Sequence, residues 1–266
     1  MSKVTFIETI EDKRLAPYSS LTESQLRSHE NLFIAESPKV ILSALESGYS
    51  PVSLLCEEKH IEGDASPIIE KCPDLEIYTS SRELLKSLTG YTLTRGVLCA
   101  MKRPAALSAK EILGRFQGRS RVAVIDGVCD TTNIGSIFRS AAAIGIDAIM
   151  LSPDACDPLN RRVVRVSMGS VFKIPWAFFE NNDYIPELKS EGYKSVAMAL
   201  CDESTLLDSS DLKNENKLAI ILGGEGYGLS KITIEKSDYK VCIPMSRGID
   251  SLNVGVAAGI AFWNLR

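Results

Sequence analysis

From Arg121 onward the chain repeats one pattern: a short apolar, β-branched run, then a segment of helical periodicity, then another apolar run. The runs are RVAVIDGV, AIMLS, VFKIPWAFF, SVAMAL, LAIILGG and VCIPM. They are nearly continuous in hydrophobicity, so each strand they form must be buried on both faces. Buried strands alternating with helices predict an α/β fold with a parallel sheet covered on either side. Open sheets of this kind hold ligands beyond the carboxyl ends of their strands, so the loops there are the expected sites of chemistry.

The first hundred residues alternate on a smaller scale, through NLFIAESPKVILSALESG, VSLLCEE, SSRELLKSLTG and GVLCAMKRP, and predict a compact α/β unit of their own. A length of 266 residues suits two modest domains. After Lys102-Arg103-Pro104 the stretch AALSAKEILGRFQGRS is polar and contains glycine, as a connection would. The expected division is therefore 1–105, a linker at 106–120, and 121–266.

Several function classes are disfavoured by what the sequence lacks. No apolar run approaches the ~20 residues of a membrane helix, and the opening MSKVTFIETIEDKR is charged where a signal peptide is apolar. A cytoplasmic protein without a membrane partner is expected. Seven cysteines are scattered without a CxxC pair, which suggests neither a disulfide framework nor a zinc knuckle. The only histidines are His29 and His60, so nothing in the last two hundred residues can use imidazole as base or metal ligand. No metal is expected. The net charge is −4, and neither half is a polycation, so any nucleic-acid binding must rest on a local basic patch.

Three motifs stand at strand ends. The first, Asp126-Gly-Val-Cys-Asp-Thr-Thr-Asn133-Ile-Gly135-Ser136-Ile-Phe-Arg139, reads as strand, polar turn and helix, with Asp130, Thr131 or Thr132 as cap. Arg139 is the one long charged side chain in a helix of small and apolar residues; it is either a group reaching across a cleft or a solvated surface arginine. The second, LAIILGGEGYGLS, gathers Gly223, Gly224, Gly226 and Gly228 around Glu225. It is not the GxGxxG dinucleotide fingerprint, and only 44 residues follow Leu222, too few for a Rossmann domain opening there. A plain glycine turn is the alternative. The third runs from Ile243-Pro-Met245 through Gly248 to Ser251-Leu252-Asn253-Val254, where Ser251 can cap a helix rich in Gly255, Ala257, Ala258, Gly259 and Ala261. So many small residues imply close packing, within the chain or in a dimer.

Taken together and in this order, the motifs closely resemble the SpoU (TrmH-like) family of RNA ribose 2′-O-methyltransferases, over roughly residues 121–266. The family's Asn-x-Gly-x-x-x-Arg stands here as Asn133 to Arg139, and its Gly-x-Glu-Gly-x-Gly as Gly223 to Gly228. Its Ile-Pro-Met and Ser-Leu-Asn-Val stand as Ile243 to Met245 and Ser251 to Val254. RVSMGSVFKIP (165–175) resembles the segment that the family carries between its first two motifs. The resemblance implies a SPOUT domain, a parallel sheet with a trefoil knot, usually a homodimer, that binds S-adenosylmethionine in its knotted loops. The first 105 residues are similar to the ribosomal-protein-L30e-like substrate domain often attached to such enzymes; an unrelated α/β adaptor is the alternative.

The resemblance also assigns residues. Arg139 would be catalytic, with Asn133, Glu225, Ser251 and Asn253 shaping the site; Gly223, Gly224, Ile243, Met245 and Leu252 would hold the cofactor. Whether Arg139 takes the proton or stabilises phosphate and developing alkoxide stays open, since guanidinium is normally a permanent cation. Arg161, Arg162, Arg165 and Lys173 are candidates for a basic strip on the RNA backbone, against plain surface solvation. The expected reaction is 2′-O-methylation of structured RNA, ribosomal in preference to transfer RNA. The competing classes are a non-catalytic RNA-binding or assembly protein of the same fold, against which the joint presence of the five site residues counts, and a nicotinamide-dependent oxidoreductase, which the glycine spacing disfavours.

Overall fold

The computed structural model describes residues 3–19, 31–90, 96–200 and 204–266; His29 and Cys201 lie outside them. The chain forms two units, Met1–Ala105 with Leu159–Phe172, and Ala106–Pro158 with Lys173–Arg266.

The first unit is built on β1 (Val4–Phe6), β2 (Leu32–Glu36), β3 (Pro51–Cys56), β4 (Glu76–Thr79) and β5 (Val97–Lys102), in the order β1-β4-β3-β5-β2. β1, β4 and β3 run parallel, while β5 is antiparallel to β3 and β2. Leu159–Phe172 belongs to this unit although it lies far along the chain. Phe172 packs against Phe33 and Tyr49, with ring centroids 5.8 and 4.8 Å apart. Nε of Arg161 sits 3.3 Å from the Glu36 carboxylate. The first unit ends at Ala105, where the sequence suggested, but Leu159–Phe172, expected within 121–266, belongs to it, anchored by two aromatic contacts and a half-buried ion pair that local pattern does not reveal.

The second unit contains β6 (Ser120–Asp126), β7 (Ala148–Leu151), β8 (Trp176–Phe178), β9 (Lys194–Met198), β10 (Thr205–Leu206), β11 (Lys217–Gly223) and β12 (Tyr239–Cys242). They form one parallel sheet in the order β10-β12-β9-β11-β6-β7-β8. β11 thus lies between β6 and β9, and β12 between β9 and β10, each beside strands that precede it in the chain. Val122, Val124, Met150, Ala219 and Ile221 share one core with Ile112, Leu113, Ile185 and Leu188. The helix Val254–Leu265 packs against β11 and against the helix Thr131–Ile144.

Two expectations change here. Residues 106–120 are not simply a linker: Ser108 and Glu111 form a capping box on a helix Ala109–Leu113, and Ala109, Ile112 and Leu113 are buried in the second unit's core. The small residues of the last helix serve the chain itself. A Cβ on Gly255 would stand 3.1 Å from Cβ of Ser136, and one on Gly259 would stand 3.8 Å from Oγ of Ser140. Among the described residues no helix is long and apolar enough to cross a membrane.

Arg121 fastens the amino end of this unit. Only 3% exposed, its guanidinium donates to the carbonyls of Leu265 (2.5 Å), Glu215 (2.8 Å), Asn216 and Ser120 (3.0 Å each) and, at 3.4 Å, Lys213. Desolvation lowers its pKa to about 10, and it stays charged at neutral pH. The arginine therefore joins β6, the entry to β11 and the end of the last helix. Replacing it by Met orphans these carbonyls and is expected to cost ~3 kcal/mol or more of stability, with Lys intermediate because it lacks the planar fork. Urea unfolding of the two variants checks this.

Candidate active site

The three motifs emerge where the sheet places them. β6 and β11 are neighbours in register, Gly223 opposite Asp126, so their loops leave the sheet side by side. Asp130 caps the helix after β6, accepting from the amides of Thr132 (2.8 Å) and Asn133 (2.9 Å), and this fixes Asn133 in the first turn. After β11, Gly224 pairs with Gly228 across the loop. A Cβ on Gly223 would come within 2.6 Å of the Gly228–Leu229 peptide, and one on Gly224 within 2.6 Å of the Gly127 carbonyl oxygen. Glycine is required at both positions by backbone against backbone.

The third motif differs in detail from its sequence reading. β12 ends at Cys242, before Ile243-Pro244-Met245. The helix cap is Asn253, not Ser251: Oδ1 of Asn253 accepts from the amides of Gly255 (2.9 Å) and Val256 (3.3 Å). Both residue types suit a cap, but only Asn253 has an amide group left to donate elsewhere.

That spare amide completes a network. Nδ2 of Asn253 donates to Oδ1 of Asn133 at 2.8 Å and to Oε1 of Glu225 at 3.3 Å, while Nδ2 of Asn133 donates to the same Glu225 oxygen. Three loops separated by ninety and thirty residues in sequence are thereby held on one carboxylate. Asn133 is 5% exposed, so its polar groups depend on these partners.

Beside the network lies a cavity of about 580 Å3, a size typical of small-molecule sites. Its walls include Gly223, Gly224, Glu225, Ile243, Met245, Ser251, Leu252 and Asn253, eight of the residues singled out from sequence, together with Leu222, Val241 and Ala257. Backbone edges of the glycine loop face apolar side chains there, a combination that suits a flat heteroaromatic ligand with a polar tail. Across the glycine loop a second cavity, of about 600 Å3, is lined by Asp126, Asp130, Asp154 and Ser230 and shares Gly224, Glu225, Tyr227 and Gly228 with the first. Asp126 accepts a 2.7 Å hydrogen bond from the Tyr184 hydroxyl; burial pushes its carboxyl up, and that bond opposes the shift. Among the described residues no three His, Cys, Asp or Glu converge as metal donors.

Arg139 does not join this constellation. It is exposed on the helix Thr131–Ile144 and lines neither cavity. Of the four basic candidates, Arg161, Arg162 and Arg165 lie in the first unit, where Arg161 and Arg165 stand 3.3 and 3.8 Å from the carboxylate of Glu36, whereas Lys173 belongs to the second. Sequence reasoning missed Tyr227 and the Asp126–Tyr184 pair. The tyrosine occupies a variable position of its motif, and the pair is joined across 58 residues.

Comparison with known proteins gives a consistent picture. The model of the SpoU rRNA Methylase family matches residues 120–263. An uncharacterized tRNA/rRNA methyltransferase of Mycobacterium bovis is 33% identical over 264 residues, 95% of this chain and 88% of that protein. The 23S rRNA (guanosine-2′-O)-methyltransferase RlmP of Bacillus subtilis is 27% identical over 98% of each chain. In fold, the AdoMet-bound rRNA methyltransferase of Sinorhizobium meliloti is similar with a TM-score of 0.84 and 24% identity, over 99% of this chain and 97% of that one.

The network predicts a graded response. Glu225→Ala leaves the buried Asn133 amide without its acceptor and is expected to cost ~1–3 kcal/mol of stability, whereas Glu225→Gln keeps an acceptor oxygen and costs less. Urea unfolding of both variants measures the difference.

Proposed function

Because the chain belongs to the SpoU rRNA methylase family, we propose that it is an S-adenosylmethionine-dependent enzyme that methylates a ribose 2′-hydroxyl of RNA, ribosomal in preference to transfer RNA, in the cytoplasm. The observation that carries this reading is the cavity of about 580 Å3 with Glu225 and Asn253 in its wall, both held by the Asn133–Glu225–Asn253 network. The names of the relatives support the substrate class. The intact network disfavours a binding protein that has lost its chemistry.

The residues present fit the cofactor. Gly223 and Gly224 keep a backbone edge that no larger residue could supply, and Ile243, Met245 and Leu252 offer an apolar slot for adenine. When bound, S-adenosylmethionine supplies a methyl group already activated on a sulfonium, so the transfer requires no metal. Asn133, Glu225 and Asn253 lock the three loops into one wall and so fix the line along which a hydroxyl must approach. Positioning of this kind lowers a barrier by ~7–11 kcal/mol. Ser251, at the cavity wall, orients the ribose. Arg139 meets the RNA at the surface, where its planar guanidinium holds the phosphate adjacent to the target ribose and so sets the position of the hydroxyl.

Three further elements belong to this reading. The insertion of β11 and β12 between earlier strands supports a trefoil knot around the cofactor loops. The first unit, L30e-like in its mixed sheet, selects the RNA, with Arg161, Arg162 and Arg165 as its backbone contacts and Lys173 as one on the second unit. A homodimer forms through the outer face of the last helix, where Val256 and Trp263 are exposed and Ile260 is half-buried.

Two measurements test the proposal. Arg139→Ala should reduce methyl transfer by at least ~100-fold in single turnover at saturating RNA and donor. Donor affinity by calorimetry should stay within about threefold of wild type with chelator present, the scale of a change that does not touch the binding pocket. Near-normal transfer makes Arg139 a solvated surface residue with no part in the reaction. Wild type should sediment as a dimer at micromolar concentration and Trp263→Glu as a monomer; a monomeric wild type removes the dimer.

A further inference from the structure

Tyr227 is the most exposed of the large hydrophobic side chains among the described residues, at 102% of the reference accessibility. Its ring has no hydrogen-bond or aromatic partner among them. It stands at the tip of the glycine loop, between Gly226 and Gly228, around which a Cβ would meet nothing within 4 Å. The foot of that loop is rigid, with Gly223 and Gly224 pressed against the Gly228–Leu229 peptide and the Gly127 carbonyl. An aromatic ring is thus held in water on a fixed stem, and its residue lines both cavities.

We infer that Tyr227 is the platform on which the base of the target nucleotide stacks; the inference rests on the RNA methyl-transfer reading above. A 2′-hydroxyl can reach the cavity only if its nucleotide is turned out of its helical neighbours, and bases so freed are characteristically received on aromatic side chains. A ring on the wall shared by the two cavities leaves the ribose of a stacked nucleotide beside the Asn133–Glu225–Asn253 network. A ring serving the cofactor would be packed among the walls of the first cavity, whereas this one stands fully exposed at the loop tip. Stacking engages the face of any base, so the residue positions the nucleotide while sequence choice lies elsewhere.

The test uses the full chain as wild type, Tyr227→Ala and Tyr227→Phe, with an unmodified 23S rRNA transcript as probe and a tritiated methyl donor. Loss of one base stack corresponds to ~5–150-fold in affinity. Tyr227→Ala should therefore raise the half-saturating RNA concentration by about tenfold or more, with donor affinity by calorimetry within twofold of wild type. Tyr227→Phe, which keeps the ring, should stay close to wild type in both. An alanine variant that matches wild type for RNA overturns the inference. So does one whose donor affinity falls as far as its RNA affinity, which would make the ring a cover for the cofactor, and so does a phenylalanine variant as impaired as alanine, which would make the hydroxyl the contact. Wild type that transfers no methyl to RNA overturns the parent reading instead.

Discussion

Everything proposed for this protein depends on one carboxylate. Glu225 accepts from Asn133 and Asn253 at once and so gathers the loops that follow β6, β11 and β12. The sheet makes this possible: β6 and β11 are adjacent in register, and only β9 separates β11 from β12. Without Glu225 the amide of the buried Asn133 would lose its acceptor. The interaction therefore specifies the arrangement of the loops as much as it stabilises them.

Arg121 performs the corresponding task at the opposite end of the same strands. Through backbone carbonyls it joins the start of β6 to the segment entering β11 and to the last turn of the final helix. Both ends of β6 and β11 are thus pinned by polar side chains, while the strands between them are buried. The site is the surface of a scaffold that cannot shift one loop without disturbing the others, which is the preorganisation that an in-line displacement requires.

Much of this was legible in the sequence, for physical reasons. Apolar runs long enough to be buried on both faces reported the parallel strands, and glycines around Glu225 reported a close backbone approach. Two-residue β10 carries too little pattern to be read. The helix Ala109–Leu113 hid in a polar stretch, although Ser108 and Glu111 spell its capping box. Ser251 and Asn253 are equally good caps in isolation; the choice of Asn253 follows from its second contact, which exists only once the chain is folded. Gly255 and Gly259 announced close packing without naming the partner, which is the helix carrying Ser136 and Ser140. Arg139 matched its motif, yet the fold leaves it exposed on its helix, outside both cavities.

What this fold must do is transfer a methyl group to a ribose oxygen. Its most direct measurement is to incubate the full chain with unmodified 23S rRNA and an isotopically labelled S-adenosylmethionine, digest the RNA to nucleosides, and identify the labelled one by mass spectrometry. A single nucleoside carrying the label on its sugar fragment is expected. Label on the base fragment, or none at all from folded protein, would contradict it.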